Sequence, residues 1–281
     1  MFDAIIEKYI PAEKYLSLQK QLQQLENSYT TNKFIEIFSK VYMFNCDIKI
    51  TGEDREKLKN VMANIEFDYW SLEDMIRAAI VKRIQFLPEK DYVEAIEKSY
   101  RIADTKEQCS LLKILAISQY REKLAHIAHS CVRTNIPDVL AALCCGNPYP
   151  YDYFSTQEFN NMVLKAVFMN ISIAKIYGLV QKTNEALSRM ANQYIDEREA
   201  ANRDFPCDLW LIACPFSHGK DRERVYRYLH HKSVLHRYWV ACSLLHEEDV
   251  QDSFVEKQIE IEDHIPTKEI LQQIIDRRRN K

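Results

Sequence analysis

Two charged side chains lie on apolar helical patterns, where they could contact a ligand. Asn161 and Lys165 are one helical turn apart in an apolar segment, and Arg198 falls on the same stripe as Leu187 and Ala191. A desolvated cation needs a carboxylate or an anionic ligand as its partner. The pattern therefore predicts one of two roles: binding of an anionic small molecule, or buried ion pairs that fix two helices.

The segment Asn147–Phe154 lies between these helices and the N-terminal part of the chain. It contains two prolines and three tyrosines, which favours an ordered aromatic loop over a helix. Because the loop leads directly into a helix, we expect it to pack over Lys165 and Arg198. The predicted polar cluster consists of Asn147, Tyr149, Asn161, Lys165, Glu197, Arg198, Arg203 and Trp210.

Other residue patterns do not name a reaction. His126 and His129 are three residues apart, and His230, His231 and His236 lie close together in sequence. No glutamate stands three residues before these histidines as in di-iron bundles, so helix surface is favoured over a metal site. Gly-rich phosphate loops and nucleophile elbows are also missing from the sequence. We therefore assign no catalytic residue, metal ligand or cofactor, and whether the chain is an enzyme stays open.

The elements that must position these residues are helices. The 281 residues include only 4 Gly and 8 Pro, and a β-rich chain joined by tight turns would need more glycine. Ser155 and Glu158 have the spacing of a capping box, and Asn202 suits the left-handed position after a helix. Apolar residues recur at helical spacing elsewhere, which predicts an all-α fold of roughly ten or more helices.

Successive short helix pairs favour a stack of the HEAT-like kind or another α-solenoid with a right-handed superhelical array. We expect one all-helical domain over residues 1–281. It has an N-terminal region at 1–136, a diagnostic region at 137–216 and a C-terminal region at 217–281.

Composition narrows the class of protein further. The net charge of −3 argues against a dedicated nucleic-acid binder. None of the 8 cysteines, including Cys46, forms a Cys-x-x-Cys pair, which indicates free thiols in a reducing compartment. The most apolar window, Met162–Val180, is interrupted by Lys165 and Lys175, so we expect a core helix there and no transmembrane segment. Without a signal-peptide pattern at the start, the expected location is the cytoplasm.

Several motifs occur in an order that resembles the EboA domain family. They are an Asn-Pro-Tyr-Pro loop at 147–150, the run Phe159–Ala166, Leu187 with Arg189-Met190, the run Glu197–Arg203, and Leu209-Trp210. The resemblance covers about Pro137–Phe216. Two positions depart from the family pattern: Glu199 stands where the family usually has tryptophan, and Asn202 where it usually has glycine. The second keeps the helix stop, whereas the first removes an aromatic surface.

The resemblance implies a pathway and no reaction. The family is encoded beside UbiA-like prenyltransferase, sugar-isomerase-like and hydrolase-like proteins, and is associated with moving precursors of secondary metabolites out of the cytoplasm. It implies a non-catalytic binding or adaptor protein, cytoplasmic or peripheral at the inner membrane. Its partners would be those pathway proteins and a small anionic or hydrophobic metabolite. The alternative is an enzyme acting on a hydrophobic or isoprenoid-like precursor in a helical pocket.

Overall fold

The computed structural model describes residues 2–44, 50–62, 64–247 and 250–279, and these residues form α-helices and short 3₁₀ helices without any β-strand. One isolated antiparallel bridge pairs Cys145 with Ile176. The all-α prediction is confirmed. The helices are α1 (Phe2–Tyr9), α2 (Ala12–Asn27), α3 (Thr31–Ser39), α4 (Gly52–Val61), α5 (Leu72–Lys82), α6 (Glu89–Ile102), α7 (Thr105–Ile114), α8 (Ala125–Cys131), α9 (Pro137–Cys144), α10 (Tyr149–Tyr153), α11 (Thr156–Phe168), α12 (Leu179–Lys182), α13 (Glu185–Ala200), α14 (Trp210–Ala213), α15 (Lys220–Leu229), α16 (Val234–Leu244), α17 (Asp252–Ile261) and α18 (Ile265–Arg279). The 3₁₀ helices lie at Lys40–Phe44, Phe67–Tyr69, Leu115–Ile117, Arg121–Leu124, Ile173–Lys175 and Cys207–Leu209.

Capping boxes set the starts of three of these helices. In each, a side chain before the helix accepts from the third backbone N–H, and a carboxylate in the first turn accepts in return. The box predicted at Ser155 and Glu158 is confirmed, with the Ser155 backbone N–H 2.8 Å from Glu158 Oε2. The pairs are Ser71 with Asp74 in α5, Asp104 with Glu107 in α7, and Ser155 with Glu158 in α11.

The segment Asn147–Phe154 differs from the predicted loop, because it contains the short helix α10. Pro148 stands at the cap of α10 and Pro150 lies in its first turn. Backbone N–H groups in a first turn have no partner within the helix, so prolines there cost no hydrogen bond. The expectation of a loop was therefore wrong for five residues, although the segment is well packed.

The end of α13 follows the prediction for a left-handed stop. Asn202 has a φ of 51°, and its N–H donates to the carbonyl of Glu199. The N–H of Arg203 donates to the carbonyl of Arg198 across 2.9 Å. These bonds satisfy carbonyl groups that the helix end leaves open.

Two compact units make up the chain. Unit 1 runs through Met169 and includes Lys175–Tyr177, whereas unit 2 comprises Asn170–Ala174 and Gly178–Lys281. The centre of unit 1 includes α5, whose residues from Met75 to Val81 are all buried. The centre of unit 2 includes Trp210, which is fully buried.

No helix in the described parts of the chain combines the length and apolar character that a membrane span requires. The seven cysteines within those parts are free thiols. Cys46 lies outside the described residues.

Candidate functional site

Asn147 and Tyr149 anchor α10 inside unit 1. Asn147 Nδ2 donates to the carbonyl oxygens of Leu112 at 3.0 Å and Ala142 at 3.2 Å, and its Oδ1 accepts from the Tyr149 N–H. Tyr149 Oη donates to the carbonyl of Arg121. Both side chains are buried, and burial raises the pKa of the Tyr149 phenol, so it stays neutral. The two residues therefore position the segment and do not contact solvent.

The residue before this segment fixes its path. Gly146 has a φ of 59°, which L side chains rarely adopt, and a Cβ there would lie 2.4 Å from the Tyr69 ring. The Glu66 N–H donates to the Gly146 carbonyl across 3.1 Å. A glycine is therefore required for this close approach.

The anchored segment forms part of the wall of a cavity of about 420 Å³, which we call the loop cleft. Its wall combines apolar and polar groups around a solvent-open space. Lys82 and Arg121 contribute positive charge, and Asp152 contributes the carboxylate. The lining residues are Met62, Asn64, Ile65, Lys82, Gln85, Ala116, Ile117, Ser118, Arg121, Pro148 and Asp152.

The charged groups of the loop cleft are accessible to a ligand. Arg121 and Asp152 are exposed, and Lys82 is half-buried with its Nζ 5.1 Å from the centre of the Phe2 ring. The guanidinium of Arg121 donates to the carbonyl of Ala116, and this bond holds the arginine side chain at the wall of the cleft. With two cations, one carboxylate and an apolar wall, the cleft suits a small amphiphilic molecule that carries negative charge.

A second cavity in unit 1, of about 270 Å³, surrounds a buried carboxylate, and we call it the charged cleft. Asp74 Oδ2 accepts from the Ser71 N–H at 2.8 Å and from Lys113 Nζ at 2.6 Å, while Oδ1 accepts from Ser110 Oγ. Its lining residues are Tyr69, Ser71, Glu73, Asp74, Arg77, Thr105, Lys106, Cys109, Ser110, Lys113 and Asp138.

Arg77 is the buried cation of the charged cleft, with 2% of its surface exposed. It donates to Glu73 and to Ser110, both across 3.1 Å, and its guanidinium lies 5.5 Å from the centre of the Phe38 ring. Its Nε has no hydrogen-bond partner among the described residues. This site was not predicted from the sequence, although an arginine inside the apolar run from Met75 to Val81 was the available signal.

Asn161 and Lys165, also in unit 1, face away from the buried core. Asn161 is exposed and accepts from Gln157 at 3.0 Å. Lys165 is half-buried, and its Nζ donates to Asn135 Oδ1 across 2.9 Å. The lysine therefore reaches a neutral amide and keeps access to water.

The other predicted residues belong to unit 2. Arg198 donates from Nε to the Asp204 carbonyl at 2.8 Å and lies 5.9 Å from the centre of the Tyr194 ring. It is half-buried and closes the turn after α13 through a backbone oxygen, where the sequence analysis expected a carboxylate or a ligand. Glu197 and Arg203 are exposed. The single cluster joining α11 and α13 stays a prediction.

Trp210 makes a contact that the sequence did not indicate. Its Nε1 donates to Nδ1 of His236 across 3.0 Å, and His236 Nε2 lies 3.3 Å from Asp204 Oδ1. Because an indole nitrogen only donates, Nδ1 must be unprotonated and the imidazole proton sits on Nε2. Burial lowers the pKa of His236, with partial opposition from Asp204. The histidine is neutral at neutral pH.

Glu199 makes ionic contacts and a hydrogen bond to α15. It accepts from Tyr228 Oη at 2.8 Å and from Arg227 at 3.3 Å, and lies 3.6 Å from Arg224. Arg224 is 3% exposed and also pairs with Asp196. Glu199 is thus a hydrogen-bonded carboxylate that links α13 to α15.

The thiols of Cys109 and Cys131 are poor nucleophiles. Burial raises the pKa of Cys109 to about 11 and that of Cys131 to about 12, so both are protonated at neutral pH. Within the described ranges, no group of three or more His, Cys, Asp and Glu side chains is placed to hold a metal ion.

The described residues form an all-helical protein whose first unit contains the loop cleft and the charged cleft. The chain belongs to the EboA family, whose model, described as metabolite traffic protein EboA, matches residues 1–213. No curated protein and no solved structure gives a significant match. The matched region contains both clefts and Trp210, whereas His236 lies after it. The family description suggests a role in metabolite traffic.

Proposed function

We propose that the chain is a non-catalytic binding protein of metabolite traffic that holds a small anionic or hydrophobic metabolite in the loop cleft. One observation carries the proposal. The segment that Asn147 and Tyr149 anchor supplies Pro148 to the wall of a cavity that Lys82 and Arg121 also line. The family motif thereby shapes a space with the size and charge for a small ligand.

The accessibility of this cleft supports binding and transfer. Arg121 and Asp152 are exposed, so a ligand can enter and leave without a large opening of the core. A protein that passes a precursor on needs such reversible access. We propose that the chain serves as an adaptor that delivers a secondary-metabolite precursor for export from the cytoplasm.

The proposed partners follow from the family. They are the UbiA-like prenyltransferase and hydrolase-like proteins of the same pathway, met in the cytoplasm or at the inner face of the membrane. Purification of the tagged full-length chain under mild conditions tests this proposal. Enrichment of the prenyltransferase over an untagged control supports it, and its recovery at background level contradicts it.

We also propose that residues 1–281 fold as one domain of stacked helix pairs, HEAT-like or of another solenoid type. In both units, helices that are adjacent in sequence contact each other: α2 contacts α3, and α15 contacts α16. Calorimetry of the full chain tests the single domain. One unfolding transition supports it, and two separate transitions contradict it.

Complementation of a strain that lacks the protein tests the main proposal. The variant Lys82→Ala with Arg121→Ala removes both cleft cations, and Lys90→Ala with Arg101→Ala removes two exposed cations from α6 as the matched control. Mass spectrometry compares metabolites in cells and medium. We expect the cleft variant to retain precursor in the cells and the control to export it.

Two outcomes contradict the proposal. Normal export by the cleft variant would show that the metabolite does not bind in the loop cleft. Conversion of the retained precursor by the purified protein would instead favour the alternative, an enzyme acting on a hydrophobic or isoprenoid-like precursor.

A further inference from the structure

The charged cleft contains more hydrogen-bond donors than its own acceptors satisfy. Lys113 and Arg77 neutralise Asp74 and Glu73 respectively. After these pairs form, Arg77 Nε still has no acceptor among the described residues. A buried donor without an acceptor costs about 1–3 kcal/mol, so such a group calls for an explanation.

Further donors line the same cavity. Lys106 is exposed and forms no ion pair within the described part of the chain, and Thr105 presents a hydroxyl. Lys113 uses one of its three N–H groups on Asp74. Three cations, Arg77, Lys106 and Lys113, therefore border about 270 Å³ of space, and each has N–H groups that its ion pairs leave available.

We propose that the charged cleft is a second ligand site, separate from the loop cleft, which binds a small oxyanion: phosphate, or the phosphate group of a metabolite. Lys106, Lys113 and Arg77 supply the positive charge and donors that phosphate oxygens need. At the start of α7, the capping box takes up the N–H groups of Asp104 and Glu107, so the N–H groups of Thr105 and Lys106 are the ones that a ligand could use.

Hydrogen bonds from protein groups offset part of the negative charge that the carboxylates bring to the cleft. Both oxygens of Asp74 accept hydrogen bonds from protein groups, and Glu73 accepts from Arg77. Asp138 is the remaining carboxylate on the wall, and it can accept from the protonated oxygen of a phosphate monoanion. The cleft is therefore matched to a phosphate that carries a proton better than to a metal ion.

Titration of the purified full chain with inorganic phosphate tests the site, with sodium chloride adjusted to constant ionic strength. Isothermal calorimetry follows binding to the wild type and to three variants. These are Lys106→Glu at the charged cleft, Lys90→Glu on the exposed face of α6 as the matched control, and Lys82→Ala with Arg121→Ala at the loop cleft. We expect Lys106→Glu to weaken phosphate binding at least tenfold and the other two variants to bind like the wild type.

Titration with a second ligand, glycerol 3-phosphate, distinguishes free phosphate from the phosphate group of a metabolite. Tighter binding of glycerol 3-phosphate than of inorganic phosphate identifies the phosphate group of a metabolite, and equal or weaker binding identifies free phosphate. Three results overturn the proposal: phosphate fails to saturate the wild type, Lys106→Glu binds it unchanged, or the loop-cleft variant alone loses it. The last result would place the anion in the loop cleft and support the proposed function instead.

Discussion

Trp210 donates its indole N–H to Nδ1 of His236 across 3.0 Å, and this bond makes the imidazole an acceptor. A proton on Nδ1 would oppose the indole proton, so the folded state resists protonation of His236. Burial lowers the pKa of His236 below its ordinary value of 6.5. As the pH falls, His236 therefore binds a proton in the unfolded chain at a higher pH than in the folded chain. We expect the free energy of unfolding to decrease from pH 6.5 downwards.

Urea unfolding at intervals between pH 8 and pH 5 measures this dependence. Trp210→Phe removes the opposing donor, so its stability should vary less with pH even though its absolute stability is lower. Trp239→Phe is the control for loss of an indole. Because burial also lowers the pKa of His231, the wild-type slope includes its contribution, and only the difference between variants reports His236. An equal slope in Trp210→Phe would contradict the argument.

A buried ion pair in unit 2 predicts a second, more acidic transition. Arg237 donates to both oxygens of Glu262, at 2.9 Å and 2.8 Å, and the Glu262 side chain is 0% exposed. Burial opposes ionisation of Glu262, but the hydrogen bonds from Arg237 and Gln258 outweigh it and lower the pKa to about 2. This carboxylate stabilises the fold above pH 4.5, and its contribution is lost as the pH falls towards 2.

Glu262→Gln should remove that contribution at every pH. Lowering the pKa from 4.5 to about 2 corresponds to about 3 kcal/mol, which is the expected loss of unfolding free energy at pH 7. Guanidinium unfolding at pH 7 and pH 3 measures it. The exposed neighbour Glu260→Gln is the control and should change stability by less than about 0.5 kcal/mol. A loss in Glu262→Gln that is the same at both pH values would show that the ion pair is not its source.

Local chemistry made the helix ends predictable. The capping box at Ser155 and the stop at Asn202 depend on residues within a few positions, and both were confirmed. The helix α10 was not predicted, because its stability comes from anchors distant in sequence. Asn147 bonds to the carbonyl of Leu112, and Tyr149 to that of Arg121. Such contacts do not appear in a linear pattern.

The residue at the α13 stop gives a direct test of backbone strain. Asn202 holds a φ of 51°, which glycine adopts without strain and a residue with a Cβ does not. Asn202→Ala should lose about 1 kcal/mol of unfolding free energy, and Asn202→Gly should equal or exceed the wild type. Thermal unfolding of both variants measures this. A lower midpoint for glycine than for alanine would contradict it.

The departure at Glu199 is also testable. Glu199→Trp introduces the residue expected from the family resemblance but removes the acceptor of Tyr228 Oη and a partner of Arg224. We expect a loss of about 2 kcal/mol, because a half-buried phenol and a buried guanidinium lose hydrogen-bonded partners. Glu199→Gln keeps an acceptor for Tyr228 and should lose less. If tryptophan stabilises the chain, the ionic contacts are not what holds α13 to α15.

Two arginines, Arg198 and Arg77, show that the partners of a charged side chain could not be predicted from the sequence. Arg198 stood out because it lies on an amphipathic stripe, yet in the fold it reaches a backbone carbonyl beside water. No role was predicted for Arg77, yet its side chain is buried. Helical periodicity identifies which face a residue occupies, but the partner that neutralises a charge comes from another element. For Arg77 that element is α7, which supplies Ser110.

Substitution of these two arginines should therefore have unequal effects. Arg77→Met removes a cation that is 2% exposed and leaves Glu73 and Ser110 without their donor, so we expect a loss of about 3 kcal/mol. Arg198→Met removes a hydrogen bond to the Asp204 carbonyl on a half-buried surface, so the expected loss is about 1 kcal/mol. Methionine is used at both sites because it keeps the length of the apolar stem, which makes each variant the control for the other. Urea unfolding at neutral pH measures both values. An Arg198→Met loss equal to that of Arg77→Met would mean that Arg198 carries a buried ionic contact in solution, as its place on the apolar stripe first indicated.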